Sequence, residues 1–142
     1  MLYDQPQVVA AAARSEFISA PDVRGRCETA GGDFFDSVPA GADGYIMKYI
    51  IHDWDDEKSL RILRNCRAAP PPGGRLLVVE HVIPIGNAAN FGKLLDINMM
   101  VVPGGQERTR SEFRELFARA GLRLQRVHPT ECPLSILEVV AA

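Results

Sequence analysis

Long apolar runs, clustered basic residues, paired cysteines and a glycine-rich nucleotide loop ahead of His52 are all missing from these 142 residues. Each absence closes off a class of function. No apolar stretch approaches the roughly 18 residues that cross a bilayer, and no basic-then-apolar leader opens the chain, so a soluble, cytoplasmic protein without a membrane partner is expected. With 16 Lys and Arg against 18 Asp and Glu the formal net charge is −2, and no basic stripe can displace counterions from phosphates; no nucleic-acid partner is expected. Cys27, Cys66 and Cys132 are odd in number, far apart and without a C-x-x-C spacing, which excludes a disulfide framework and a zinc motif and fits a reducing compartment. The 46% hydrophobic and 24% charged residues then exclude disorder and fibrous repeats, leaving one globular domain over residues 1–142.

What is present alternates short apolar runs with amphipathic stretches, an α/β pattern. Met1 to Tyr3 reads as the end of a strand, and Pro6 opens a helix through Val8, Val9 and Ala12 towards Phe17. Arg26 to Ala30 reads as a strand ending at Gly31-Gly32-Asp33, and Gly44 to Ile51 as one buried on both faces. Asp53, Asp55, Asp56 and Glu57 load a helix start, with Leu60, Ile62, Leu63, Cys66 and Ala69 facing inward. Pro70 to Gly74 turns into a strand over Arg75 to Val82. The next helix presents Phe91, Leu94, Leu95, Asn98, Met99 and Val102 at helical spacing, which puts Asn98 on an otherwise apolar, buried face. After the loop Pro103 to Arg108, Thr109-x-x-Glu112 is a capping box, Gly121 a left-handed helix stop, and Leu122–His128 with Leu134–Val140 an antiparallel pair at a sheet edge.

Three features can carry chemistry. His52 is a side chain that titrates near neutral pH, set at a strand exit where α/β proteins keep their ligands. A general base is one reading of it, and a hydrogen-bonded histidine at a strand end is the plainer one. Glu80, ending the neighbouring strand, and Glu107, in a Gly-Gly loop, can converge on it, although either alone reads as a solvated loop carboxylate. Asp4 and Asp33 each follow a candidate strand, where a carboxylate accepts hydrogen bonds from ribose hydroxyls or an adenine amine, or else caps a turn. Asn98, with Met99 and Met100, is the third; such methionines more often fill core gaps than line a pocket.

Taken together, YDQPQVV at 3–9, GGDFFDSVPAGAD at 31–43, YIMKYIIHDWDDE at 45–57, LRNCRAAPPPGGRLLVVEHVIP at 63–84, LLDINMMVVPGGQERT at 94–109 and EFRELFARAGL at 112–122 resemble the S-adenosylmethionine-dependent small-molecule O-methyltransferases. This is the caffeate, hydroxyindole and aromatic-polyketide type. The resemblance implies a Rossmann-like, mostly parallel sheet with an antiparallel carboxy-terminal edge pair, and secondary metabolism as the setting. It implies that His52 deprotonates a substrate hydroxyl, flanked by Glu80 and Glu107. It further implies that Asp4 holds the cofactor ribose, Asp33 and Phe34 the adenine end, and Lys48 a polar contact, while Asn98 and Met99 line the acceptor pocket. The acceptor would be a phenolic or enolic small molecule, and no metal would be required.

The resemblance also marks departures. The family's first strand, its glycine-rich loop and its amino-terminal helical region, which builds the homodimer, have no counterpart in this sequence. The expectation is a partial catalytic domain, the carboxy-terminal part of a longer reading frame, with a truncated sheet. A strand should be missing between those at Met1–Tyr3 and Gly44–Ile51, leaving two unpaired edges or forcing these strands together. Two classes of function follow: an O-methyltransferase or its carboxy-terminal part, and a non-catalytic remnant or subunit-interaction module that does not bind cofactor alone. Relatives that use the same pocket for hydroxylation or decarboxylation form a third.

Overall fold

In the computed structural model, which describes residues 1–102 and 104–142, the strands form two separate sheets, one parallel and one mixed. The predicted loop residue Pro103 lies outside the described residues. Strand β1 (Leu2–Asp4) leads through helix α1 (Pro6–Ala12) and a short α2 (Glu16–Ser19) to β2 (Thr29–Gly31), which pairs parallel with β1 in the register Tyr3↔Ala30. Two expectations shift here. The helix drawn through Phe17 breaks after Ala12, because the Ser15 side chain accepts the N–H of Ile18 and starts a new turn. The strand drawn over Arg26–Ala30 pairs only from Thr29.

The second unit begins with β3 (Gly44–Lys48), followed by a 3-10 turn (Ile51–Asp53), α3 (Asp56–Ala68) and β4 (Arg75–Ile83). Strands β3 and β4 pair in parallel, with α3 as the connection between them. Helix α4 (Phe91–Val101), the two-residue β5 (Arg108–Thr109) and α5 (Arg110–Arg119) come next, then β6 (Leu122–Pro129) and β7 (Leu134–Ala141). The sheet runs β3-β4-β7-β6, with β7 antiparallel to both neighbours and β5 extending the exit of β4. The predicted antiparallel pair is therefore present, with β7 as its inner strand.

Helices α3 and α5 cover one face. Leu60, Ile62, Leu63, Cys66, Phe113, Leu116 and Phe117 meet Leu76, Val78, Leu137 and Val139 in a continuous core. Each fully buried Leu or Phe there contributes about 1.5–3 kcal/mol. Asp55 caps α3 by accepting the Lys58 N–H, the Thr109 and Glu112 capping box opens α5, and Gly121 closes it at φ 73°. Strand β3, expected to be buried on both faces, alternates instead: Tyr45 and Met47 are half-buried, while Ile46 is 71% exposed.

Strands β1 and β3 do not pair with each other, and among the described residues nothing pairs with the second edge of either. Of the two outcomes anticipated for a missing strand, this is the first. Both edges line one cavity of about 450 Å³. Helix α4 departs furthest from expectation. Gly92 and Met99 are buried, whereas Asn98 is exposed along with Phe91, Leu94 and Ile97. With apolar residues nearly all round this helix, Asn98 turns to solvent, where an amide needs no protein partner.

Candidate active site

The exit of β3 is where the sheet hands the chain to chemistry. Tyr49, at φ 55°, turns it out of the strand, and the 3-10 turn then carries His52, which is only 7% exposed. The parallel register Lys48↔Val79 sets Glu80 beside that turn. Its Oε1 accepts the N–H groups of Ile50 and Ile51 at 3.0 and 2.9 Å, satisfying two donors that the tight turn would otherwise leave buried and unpaired. Its Oε2 has no hydrogen-bond partner among the described residues and lies 3.9 Å from His52 Nδ1. Burial pushes the Glu80 carboxyl up to about 7, with Glu107 adding to the rise and His52 and the two backbone donors working against it.

Glu107 arrives from the other side, on the loop after α4. The N–H groups of Gly104 and Gly105 both donate to the Met99 carbonyl, and that of Gln106 donates to the His52 carbonyl at 2.9 Å. Gly105 is required by space: a Cβ there would overlap the His52 carbonyl oxygen and the Asp53 and Trp54 backbone. Asp96 Oδ1 accepts the Glu107 N–H at 2.7 Å, and Glu107 Oε1 sits 2.9 Å from His52 Nδ1. A carboxylate can only accept, so Nδ1 carries the hydrogen; Nε2 has Asp53 Oδ1 3.4 Å away but makes no hydrogen bond with it, and its lone pair is the one left for a substrate proton. Burial pulls the His52 pKa down, but the hydrogen bond to Glu107 and the charges of Glu80, Glu107 and Asp53 outweigh it, and the net shift is upward. One ligand atom from each of His52, Glu80 and Glu107 lies within 4.8 Å of the others, a spacing that can also hold a divalent cation.

Sequence reasoning brought these three together correctly and missed what locks them. Arg108, 1% exposed, donates to the carbonyls of Ile51 and Trp54 at 3.1 Å, to that of Gln106 at 3.4 Å and to Asp56 Oδ1 at 2.9 Å. It ties the His52 turn to the Glu107 loop. Its place between Glu107 and the capping-box Thr109 was the only signal the sequence offered.

The residues expected around a cofactor divide. Asp4, Phe34 and Lys48 all line the cavity between β1 and β3. Asp4 Oδ1 accepts the Gln5 N–H at 2.7 Å. Asp33 is not part of that lining; it is exposed, and its Oδ1 accepts the Phe35 N–H at 2.8 Å, a turn aspartate by geometry. Asn98 is exposed and Met99 buried, with the Met99 carbonyl anchoring the Gly-Gly loop.

The O-methyltransferase domain family matches residues 1–123. The chain belongs to that family. A phenazine O-methyltransferase from Lysobacter antibioticus is 51% identical to this chain over 138 residues, a match that covers 97% of this chain and 40% of the relative. A crystal structure named LaPhzM superposes with a TM-score of 0.92 at 50% identity, covering 99% of this chain and 42% of that one. The O-methyltransferase NcsB1 of neocarzinostatin biosynthesis, solved with S-adenosylmethionine and 2-hydroxy-5-methyl naphthoic acid, superposes with a TM-score of 0.86 at 37% identity, covering 99% and 40%. The chain thus spans about two-fifths of the length of the relatives it matches.

Proposed function

We propose that residues 1–142 are the partial catalytic domain of an S-adenosylmethionine-dependent O-methyltransferase of secondary metabolism, acting on a phenolic or enolic hydroxyl of an aromatic or polyketide-like small molecule. The observation that carries this is the 2.9 Å pairing of His52 Nδ1 with Glu107, which leaves Nε2 as a base. His52 accepts the hydroxyl proton, and Glu107 and Glu80 stabilise the imidazolium so formed. The oxygen becomes a nucleophile at the moment it is aligned, and alignment with deprotonation supplies most of what such a displacement needs. A metal has no step to perform.

The residues present fit the cofactor. A cavity of about 450 Å³ lies in the range of small-molecule sites, with a carboxylate at Asp4, an ammonium at Lys48 and an aromatic wall at Phe34. When bound, S-adenosylmethionine supplies a methyl group already activated on sulfonium. Asp4 would accept hydrogen bonds from ribose hydroxyls, Phe34 would pack on the adenine and Lys48 would make a polar contact. Asp33, outside the lining, would reach the adenine only with the carboxylate oxygen that the Phe35 N–H leaves free. Asn98 and Met99 would bound the acceptor. Cytoplasmic location and a homodimer of the full-length form complete the reading. Among the described residues, no helix is long and apolar enough to cross a membrane.

The test is turnover of S-adenosylmethionine with a panel of hydroxylated aromatics. His52→Ala should lower the rate by about 10²–10⁴-fold; an unchanged rate would remove His52 from the chemistry. A second reading, a remnant or subunit-interaction module that cannot bind cofactor alone, is favoured by the unpaired edges of β1 and β3, which leave one side of the cavity without a strand. Calorimetry separates the two, because micromolar binding of S-adenosylmethionine by this chain is incompatible with the second.

A further inference from the structure

Tyr49 is the only non-glycine residue among those described with a positive φ, at 55°. Aromatic residues rarely adopt this left-handed conformation, which glycine or asparagine takes readily. Strain of this kind persists where surrounding structure enforces it, and it clusters at functional sites. The ring shows what is enforced. It stacks on the His52 imidazole with centroids 5.1 Å apart and planes 29° apart. Its hydroxyl lies 3.4 Å from Nε2 of buried His81, whose own ring is 5.9 Å from Phe91, and its backbone N–H donates to the Val79 carbonyl at 3.2 Å. Backbone and hydroxyl are both tethered to β4.

We propose that Tyr49 is a positioning residue for His52, its ring fixing the plane of the imidazole and its π face stabilising the imidazolium that forms when His52 takes a proton. The proposal rests on the reading of His52 as the base. A cation within about 6 Å of a tyrosine face is attracted by the ring quadrupole; Tyr49 is 38% exposed, while the imidazole it covers is buried. The other groups facing the imidazole are Glu107 at 2.9 Å, Asp53 at 3.4 Å and Glu80 at 3.9 Å. Those facing Tyr49 itself are His81, Lys48, whose Nζ is 5.4 Å from the ring centre, and Cys132. Burial, together with Cys132, Glu80 and Glu107, keeps the Tyr49 hydroxyl protonated, so the ring stays neutral beside the imidazolium.

The test is a nitrogen-detected NMR titration of His52 in the full chain, for wild type, Tyr49→Phe, Tyr49→Gly and Tyr49→Asn. Glycine and asparagine suit the backbone at 55°, so both variants should fold; their His52 midpoint should fall by roughly half to one pH unit, while phenylalanine leaves it in place. An unchanged midpoint in a folded Gly or Asn variant overturns the proposal. An equal fall in Tyr49→Phe does so too, because the hydroxyl bond to His81 and not the ring would then be responsible. Unfolding of both variants also overturns it, since the ring would then hold the fold and not the imidazole. In turnover, Tyr49→Gly should lower kcat with KM little changed and move the acid limb to lower pH with the NMR midpoint. If the midpoint falls and the acid limb stays, the stacking stands and the reading of His52 as base fails.

Discussion

Gly105 runs against the carbonyl of His52 so closely that no side chain fits between them, and the next residue, Gln106, hydrogen-bonds to that carbonyl at 2.9 Å. The loop that delivers Glu107 is registered against the backbone of the residue Glu107 serves. Replacing Gly105 with Ala should push the loop away, lowering stability by about 1–3 kcal/mol. Denaturant melts would measure this, and a crystal structure should show the Glu107–His52 hydrogen bond lengthened or lost.

Glu107→Gln leaves the shape and removes the charge. The carboxylate favours the imidazolium, so its loss should lower the His52 pKa and move the acid limb of the rate profile down by roughly one to two pH units. The plateau should fall at least about tenfold, since an amide can hold the wrong tautomer. A pH–rate profile of both proteins checks direction and size together; a limb that moves up contradicts the arrangement.

Glu80 makes stability depend on pH in the less usual direction for a carboxyl. Its folded pKa is raised from 4.5 to about 7, so the stabilisation it contributes is fully present below about 4.5 and is lost as pH rises through about 7. Glu80→Gln keeps an acceptor for the Ile50 and Ile51 N–H groups and cannot ionise. The variant should gain thermal stability relative to wild type at pH 8 and lose that gain at pH 4.5. Melting curves at the two pH values decide it.

Arg108→Lys should be a severe change despite its kept charge, because an ammonium cannot reproduce contacts to three carbonyls and a carboxylate. Leaving buried carbonyls without donors should lower stability by about 1–3 kcal/mol, which denaturant melts of the two proteins would measure. Asp56, which shares this arginine with Arg119, should lose part of the depression of its pKa.

On the proposed reading of His52 as a base that needs no metal, a strong chelator should leave turnover unchanged. Zinc ions should inhibit by occupying the ligand atoms that His52, Glu80 and Glu107 hold within 4.8 Å of one another. Rates with chelator and with added zinc test both statements.

Much of this was legible in the sequence because local chemistry and global fold agree. The Thr109 and Glu112 box, the Gly121 stop and the acidic start of α3 each announce themselves within a turn, and the strand carrying Glu80, which runs on to Ile83, pairs with the strand before His52 as its apolar run implies. The failures have physical causes. Helix α4 is apolar nearly all round, so spacing alone could not show that Asn98 faces out and Met99 in. Strand β3 reads as buried on both faces, yet Ile46 is left exposed. Arg108 and Tyr49 were missed because their roles depend on carbonyls and rings brought together from distant segments.

The central claim, that Glu107 holds His52 with its base nitrogen free, is tested most directly by the ring nitrogens themselves. Nitrogen-15 NMR of the chain above the His52 pKa should show Nδ1 protonated and Nε2 bare, with Glu107→Gln mixing the two tautomers. A protonated Nε2 and bare Nδ1 in the wild type would contradict it.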